Sequence, residues 1–370
     1  MHNPRWDAII LGAGVAGCAL ARRLAPVHRV LMLEQRSRLA KAPRIGESLP
    51  GAARVLLQEL GLLERFLSGP HRERGPAVST WDSDTPVWQD AITAPSGPGW
   101  VLDRQAFDDL LRDGAVEAGA ELRTGCRRMD ITTDASGWRV HLPFEGVTHH
   151  APIVVDATGR SGGIAHRLGL TRVADDPLVC LYSILPARPD DHDASLRTCA
   201  DDHGWWYSVK LPSEKRVLAY HLDINDPLRR ELNVPEAFQQ RARRQPLLSQ
   251  VLGERELAPV HNHPAGTALL EIDNLASADK GFLAIGDALM TFDPISSQGL
   301  FHALATAASA HKAICNGFPE NNDALRAFQT EMQAVQRRYL DHWQRTYAGP
   351  RRFSQCPFWA TRAQGDVQTV

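Results

Sequence analysis

Ala8-Ile9-Ile10-Leu11-Gly12-Ala13-Gly14-Val15-Ala16-Gly17, running on to Leu24 and then through Arg29–Leu33 to Glu34, decides how the chain is read. The apolar residues Ala8 to Leu11 predict a buried strand. Val15 to Leu24, rich in Ala and Leu, predicts a helix, and Arg29 to Leu33 a second strand. This βαβ order opens a doubly wound parallel sheet. Gly12 permits the tight turn, Gly14 lets the backbone approach a pyrophosphate, and Gly17 lets helix and strand pack closely. The helix start offers free N–H groups and a partial positive charge to phosphates. Glu34, at the end of the second strand, can accept hydrogen bonds from ribose hydroxyls. Spacing alone is weak, but strand, helix and strand-end carboxylate together predict nucleotide binding.

Two further motifs lie far along the chain. Pro152 to Asp156 predicts a buried strand that ends in Ala157-Thr158-Gly159, a small-residue turn that can pass close to a cofactor or simply leave the sheet. Gly281 to Ile285 predicts another strand, delivering Gly286-Asp287-Ala288 and then Asp293-Pro294 and Gln298-Gly299-Leu300. Asp287 could bind sugar-like hydroxyls, and Pro294 forces a turn. The small-residue helix over 298–315 would present its N-terminus to developing negative charge. Each of these pieces can be structural alone; their order carries the argument.

That ordered set resembles the p-hydroxybenzoate-hydroxylase-like flavoproteins, which include aromatic hydroxylases, flavin-dependent halogenases and geranylgeranyl reductases. The resemblance covers roughly residues 7–315 and implies FAD. In Leu102-Asp103-Arg104-Gln105-Ala106-Phe107 it makes Arg104 the middle-helix arginine that contacts the cofactor. It implies further FAD contacts at Ala16, Gln35, Arg36, Arg44, Gly46, Glu47, Ser48, Arg128 and Leu300, beside Gly12, Gly14, Gly17, Glu34, Ala157, Thr158, Gly159, Gly286, Asp287, Pro294, Gln298 and Gly299. Arg44-Ile45-Gly46-Glu47-Ser48-Leu49-Pro50 looks like the segment that runs over the flavin in the halogenase branch; Ser48 could equally cap a helix start. Halogenation needs a Lys that this chain lacks between Lys41 and Lys210, and an Arg is too basic and delocalised to replace it.

Gly204-Trp205-Trp206-Tyr207-Ser208, the Gly-Glu-Ser-Leu-Pro segment and Cys356-Pro357-Phe358-Trp359 resemble the LodB/GoxB-type flavoproteins, which mature the quinone of lysine and glycine oxidases. This resemblance implies a monooxygenase that hydroxylates a Trp side chain of a partner quinoprotein oxidase precursor on the way to cysteine tryptophylquinone. It implies O2 as co-substrate, with NADPH or a separate flavin reductase as electron source. Glu47, Trp206 and Tyr207 are the catalytic candidates, and Trp81, Trp205, Trp206 and Tyr207 an aromatic wall or core filling. The rival readings are a hydroxylase of small aromatics, a halogenase-like or isoprenoid-reducing enzyme, and a flavin-binding assembly factor without turnover.

Composition narrows the class. The 370 residues suffice for two domains or one large α/β unit. A mean hydropathy of −0.28 is that of a globular chain. Lys+Arg of 41 against Asp+Glu of 43 gives no basic excess for a nucleic-acid partner. No apolar run reaches membrane-spanning length, and the first residues lack a signal peptide's apolar core. The six cysteines show no CxxC spacing and read as reduced thiols of a cytoplasmic protein. His149-His150 and His261-x-His263 lack a third ligand, so no metal is expected.

The expected fold is α/β: a Rossmann-like FAD-binding domain with an inserted antiparallel β-sheet substrate domain and a C-terminal helical segment. FAD-binding segments are expected over 1–70, 101–175 and 271–318, and a substrate-side insertion over 71–100. A substrate-covering antiparallel sheet with one exposed face is expected over 176–270, and a helix and tail over 319–370. Residues 51–67 predict a helix, as do 104–118. Strands are expected near 121–124, 128–133 and 137–142. On the long helix over 320–345, Leu325, Phe328, Met332, Val335, Tyr339 and Trp343 form a stripe that packs on its own domain or docks a partner.

Overall fold

The computed structural model describes residues 5–36, 45–90, 95–173, 176–274 and 281–364. Its centre is a parallel sheet of five strands in the order Phe282–Ala284, Ile153–Asp156, Ala8–Leu11, Val30–Glu34 and Glu121–Thr124. Ala8–Leu11 and Ile153–Asp156 are buried throughout, as parallel strands covered on both faces must be. One layer of cover is helical: the first helix, Val15–Leu24, contacts both Arg104–Glu117 and Gly299–Cys315. The other is an antiparallel meander, Asp130–Asp134, Gly137–Leu142 and Val147–Ala151, whose Trp138 lies beside Phe282.

A seven-stranded cover sheet lies against this core. Its order is His261–Pro264, Leu178–Leu185, Arg216–Asp223, Gly204–Lys210, Leu196–Asp201, Ala77–Thr80 and Val87–Gln89. All neighbours run antiparallel except Leu196–Asp201 with Ala77–Thr80, which pair in parallel. The expected exposed face is absent. Gly204–Lys210 is buried on both sides because helices Pro235–Arg243 and Pro246–Leu252 cover the outer face. Strand alternation therefore separates two cores: Trp205 packs with the main core, and Trp206 with Phe238, Leu248 and Tyr220 in the second.

Three local expectations change. Residues 51–67 form two short helices, Ala53–Glu59 and Leu63–Leu67, separated at Gly61 where φ is +65°. Ser48 is no helix cap; it sits in the two-residue strand Ser48–Leu49, paired with Trp100–Val101, and the helix starts after Ala52. The strand Leu196–Asp201, within the expected sheet, pairs with Ala77–Thr80, so the expected insertion over 71–100 joins the cover sheet. The long helix, Asn322–Tyr347, begins at Asn321, whose side chain accepts from the Asp323 N–H at 2.9 Å. Its stripe is covered: Phe328, Met332 and Trp343 are buried in the main core.

One end of the cover sheet is pinned by a buried ionic knot. Arg216 and Arg255 both pair with Asp191, Arg216 at 2.8 Å, and the Arg216 and Asp191 side chains are essentially inaccessible. The Lys210 ammonium donates to the Asp191 carbonyl at 2.6 Å and pairs with Glu214.

Candidate functional site

The three motifs leave the parallel sheet at the carboxyl ends of its strands, where open α/β sheets bind ligands. At Gly12 φ is +105°, and a Cβ there would stand 2.4 Å from the Ala157 carbonyl oxygen, so the first and second motifs touch through backbone. A Cβ on Gly17 would stand 2.1 Å from the Gly12 oxygen. A Cβ on Gly14, by contrast, would meet no protein atom within 4 Å, and no side chain caps the helix that begins there. Glu34 is fixed by two backbone donors, Ala13 N–H to Oε2 and Arg36 N–H to Oε1, both at 3.0 Å. Gln35 and Arg36 lie exposed beside it, and the Arg128 guanidinium is turned to Asp130 at 3.0 Å.

The second motif is held by Asp156, whose Oδ1 accepts from the Thr158 N–H at 2.9 Å and the Thr158 hydroxyl at 2.6 Å. Gly159 then adopts φ +76° with open space at its Cβ position. In the third motif Gly286, at φ +59°, is pressed on Ala16: a Cβ would stand 2.8 Å from the alanine methyl. Desolvation raises the Asp287 carboxyl above its usual range, while Arg160, Arg172 and Arg104 pull it back. Arg172 also donates to the Asp287 carbonyl at 2.9 Å. Pro294 opens a short turn that closes at Ser297, φ +50°. Gln298 leads into Gly299–Cys315, whose N-terminus has no side-chain cap and open space at Gly299. Leu300 is half-buried beside it.

Arg104 joins this region to the Gly-Glu-Ser segment. Its guanidinium donates to the Gly46 and Ile45 carbonyls at 2.9 and 3.2 Å, and to Asp108 at 3.2 Å. Gly46 takes φ +90°. Glu47 is buried, with Oε1 accepting from the Tyr207 hydroxyl at 2.6 Å, while Oε2 and the neighbouring Ser48 hydroxyl find no partner among the described residues. Burial pushes the Glu47 carboxyl up, and the Tyr207 hydrogen bond opposes that shift. Tyr207 is itself pushed up by burial and by the adjoining carboxylate.

The sequence-predicted residues thus fall into groups. Gly12, Gly17 and Ala157 meet, as do Ala16 and Gly286, Gly46 and Arg104, and Glu47 and Tyr207. Trp81 and Trp205 lie together, ring centroids 6.4 Å apart, with Trp359 of the short helix Pro357–Gln364 5.4 Å from Trp81. Trp206 does not join them. It faces the second core, stacks on Tyr220 at 4.2 Å and donates to Asp201, so the expected catalytic and wall roles are corrected by strand alternation. Arg44 lies outside the described residues. Arg160 and Arg172, beside Asp287, were not expected; Arg160 adjoins the second motif, but nothing in the sequence marks Arg172.

FAD fits this arrangement. Gly14, Gly159 and Gly299 leave approaches that no atom of the described residues fills, two helix N-termini lack side-chain caps, and Glu34 and Asp287 offer carboxylate acceptors. The chain belongs to the FAD-binding-domain family, whose model spans residues 5–314, and it is an FAD-dependent oxidoreductase. It is 28% identical over 365 residues to LodB of Marinomonas mediterranea, described as an FAD-dependent oxidoreductase, covering 96% of each chain. Among solved structures it resembles the flavin-dependent halogenase CmlS (TM-score 0.82, 22% identity, 99% of this chain and 69% of that one). It also resembles the peptidyl tryptophan dihydroxylase QhpG (TM-score 0.75, 23% identity, 99% and 80%). Among the described residues no helix is long and apolar enough to cross a membrane.

Proposed function

We propose that this flavoprotein hydroxylates the indole of a tryptophan side chain in a partner protein, the precursor of a quinoprotein amino-acid oxidase. The observation that carries this reading is the buried Glu47 carboxylate beneath the cover sheet, with one oxygen held by Tyr207 and the other free. Likeness to LodB and to a peptidyl tryptophan dihydroxylase supports the choice of an indole on a protein. The FAD would be held by Gly12, Gly14, Gly17 and Glu34 at its adenylate end, and by Asp287, Gln298, Gly299 and Arg104 toward its ring. When bound and reduced, FAD supplies two electrons and activates O2, so that one oxygen atom enters the substrate and the other leaves as water.

Glu47 is assigned the proton that the indole must lose as oxygen enters. A general base needs an accessible lone pair, and Oε2, which accepts no hydrogen bond from the described residues, offers one. Burial raises the Glu47 carboxyl, and Tyr207 keeps it oriented and opposes that rise. Trp205 is buried and stacked on His221 at 3.6 Å, so it backs the site as core, and the half-buried Trp81 is the aromatic left to meet a substrate indole. Lys210, the first lysine after Lys41, is tied to Asp191 and Glu214 at one end of the cover sheet, which speaks against halide chemistry through it.

Electrons are supplied by NADPH or by a separate flavin reductase. The test is to reduce the purified holoprotein, admit O2 with a tryptophan-containing precursor protein, and digest the precursor for mass spectrometry. A gain of one or more oxygen atoms on a Trp residue is expected. Unmodified precursor, with a small aromatic hydroxylated under the same conditions, would replace this proposal by its rival.

A further inference from the structure

The long C-terminal helix carries three polar aromatics at four-residue intervals, Tyr339, Trp343 and Tyr347, and all three reach Asp293. Trp343 Nε1 donates to Asp293 Oδ2 at 3.1 Å, and the Tyr347 hydroxyl donates to the same oxygen at 2.7 Å. The Asp293 N–H donates to the Tyr339 hydroxyl at 3.0 Å, and Oδ1 accepts from the Ile295 N–H at 2.9 Å. Asp293 is wholly inaccessible. Simple packing needs no polar tips on these rings, and an ionised carboxylate is costly to bury unless such donors surround it. Burial and nearby Asp176 push the Asp293 carboxyl up to about 7, against the pull of Tyr347, Ile295 and Arg362.

Position gives the network its purpose. Asp293 starts the turn Asp293–Gln298 that delivers the open N-terminus of Gly299–Cys315, the helix start assigned to the flavin ring. The Tyr347 hydroxyl also accepts from Trp205 Nε1 at 3.1 Å. Trp205 sits on the inner face of the cover sheet, two residues before Tyr207, which holds Glu47. One hydroxyl therefore ties together the flavin-edge turn, the substrate sheet and the C-terminal helix.

We propose that Asp293, Trp343 and Tyr347 are positioning residues for the flavin: the hydrogen bonds that Trp343 and Tyr347 donate to Asp293 set the direction in which the Gly299 helix N-terminus points. The C-terminal helix, which lies beyond the matched family region ending at residue 314, thereby tunes the redox site. The inference rests on FAD binding and is independent of which substrate is hydroxylated.

The experiment compares the holoprotein with Tyr347→Phe and Trp343→Phe, which remove a donor but keep a ring and leave the formal charge unchanged. Val335→Ala, on the same helix and without a polar group, is the packing control. Bound-flavin reduction potential and visible circular dichroism are read at about pH 9, above the Asp293 value of about 7. A misdirected helix N-terminus stabilises reduced, anionic flavin less, so the preference for reduced over oxidised flavin should fall about two- to fivefold. The potential then moves negative in both ring variants and stays at the parental value in Val335→Ala. Parental potentials and dichroism in both ring variants, a positive shift in them, or an equal shift in Val335→Ala would overturn the proposal. Should Tyr347→Phe fail to fold, Trp343→Phe decides alone.

Discussion

Gly14 and Gly17 are three residues apart in one motif, yet alanine at the two positions should fail in different ways. At Gly17 the new methyl would meet the Gly12 carbonyl oxygen at 2.1 Å, its carbon at 3.2 Å and the Ala157 methyl at 3.3 Å. The nearest obstacles are backbone in the tight turn, so helix and strand must separate. Overpacking of this kind costs about 3 kcal/mol at its upper range, a fall of roughly 4 °C in Tm for a chain of this size. At Gly14 nothing stands within 4 Å, and φ −81°, ψ −171° suits any residue. The apoprotein should lose at most about 1 kcal/mol from the poorer helix cap. The methyl would instead fill the space assigned to the pyrophosphate. Losing two charge-assisted N–H contacts costs about 3 kcal/mol or more, roughly a 150-fold rise in the FAD dissociation constant. The assay is a thermal melt of the FAD-stripped proteins beside a fluorescence titration with FAD. If Gly14→Ala binds FAD within about threefold of the parent, or melts as low as Gly17→Ala without cofactor, the cradle assignment is wrong.

Glu47→Gln should retain FAD yet hydroxylate about 100-fold more slowly, the usual scale of a lost general base. Tyr207→Phe removes the hydrogen bond that lowers the Glu47 value, so the acid limb of the rate profile should move to higher pH; a fixed limb would deny Glu47 its role. In Glu34→Gln one carboxylate oxygen becomes an amide, and FAD should bind about tenfold more weakly by equilibrium titration. Arg216→Ala leaves Asp191 still paired with Arg255 in the ionic knot, and denaturant titration should show a loss of about 1–3 kcal/mol with the FAD spectrum unchanged.

The elements proposed to hold the cofactor were legible in the sequence. A turn that needs glycine, a strand-end carboxylate and a helix start are local arrangements, so Gly12, Gly14, Gly17 and Glu34 could be picked out together from the strand–turn–helix pattern around them. The long helix and its apolar stripe were legible for the same reason, since helical periodicity is a local property. Tertiary structure decided the rest. Glu47 and Tyr207 are 160 positions apart, and only the docking of the cover sheet brings their side chains to 2.6 Å. Alternation put Trp205 and Trp206 on opposite faces but could not say which face met the core, because helices from residues 235–252 bury the outer one as well. Nor could a stripe of aromatics reveal that three of its polar tips converge on Asp293, whose partners lie 46 to 54 residues away. Hydrogen-bond partners across such separations are chosen by packing geometry, and residue spacing carries no record of it.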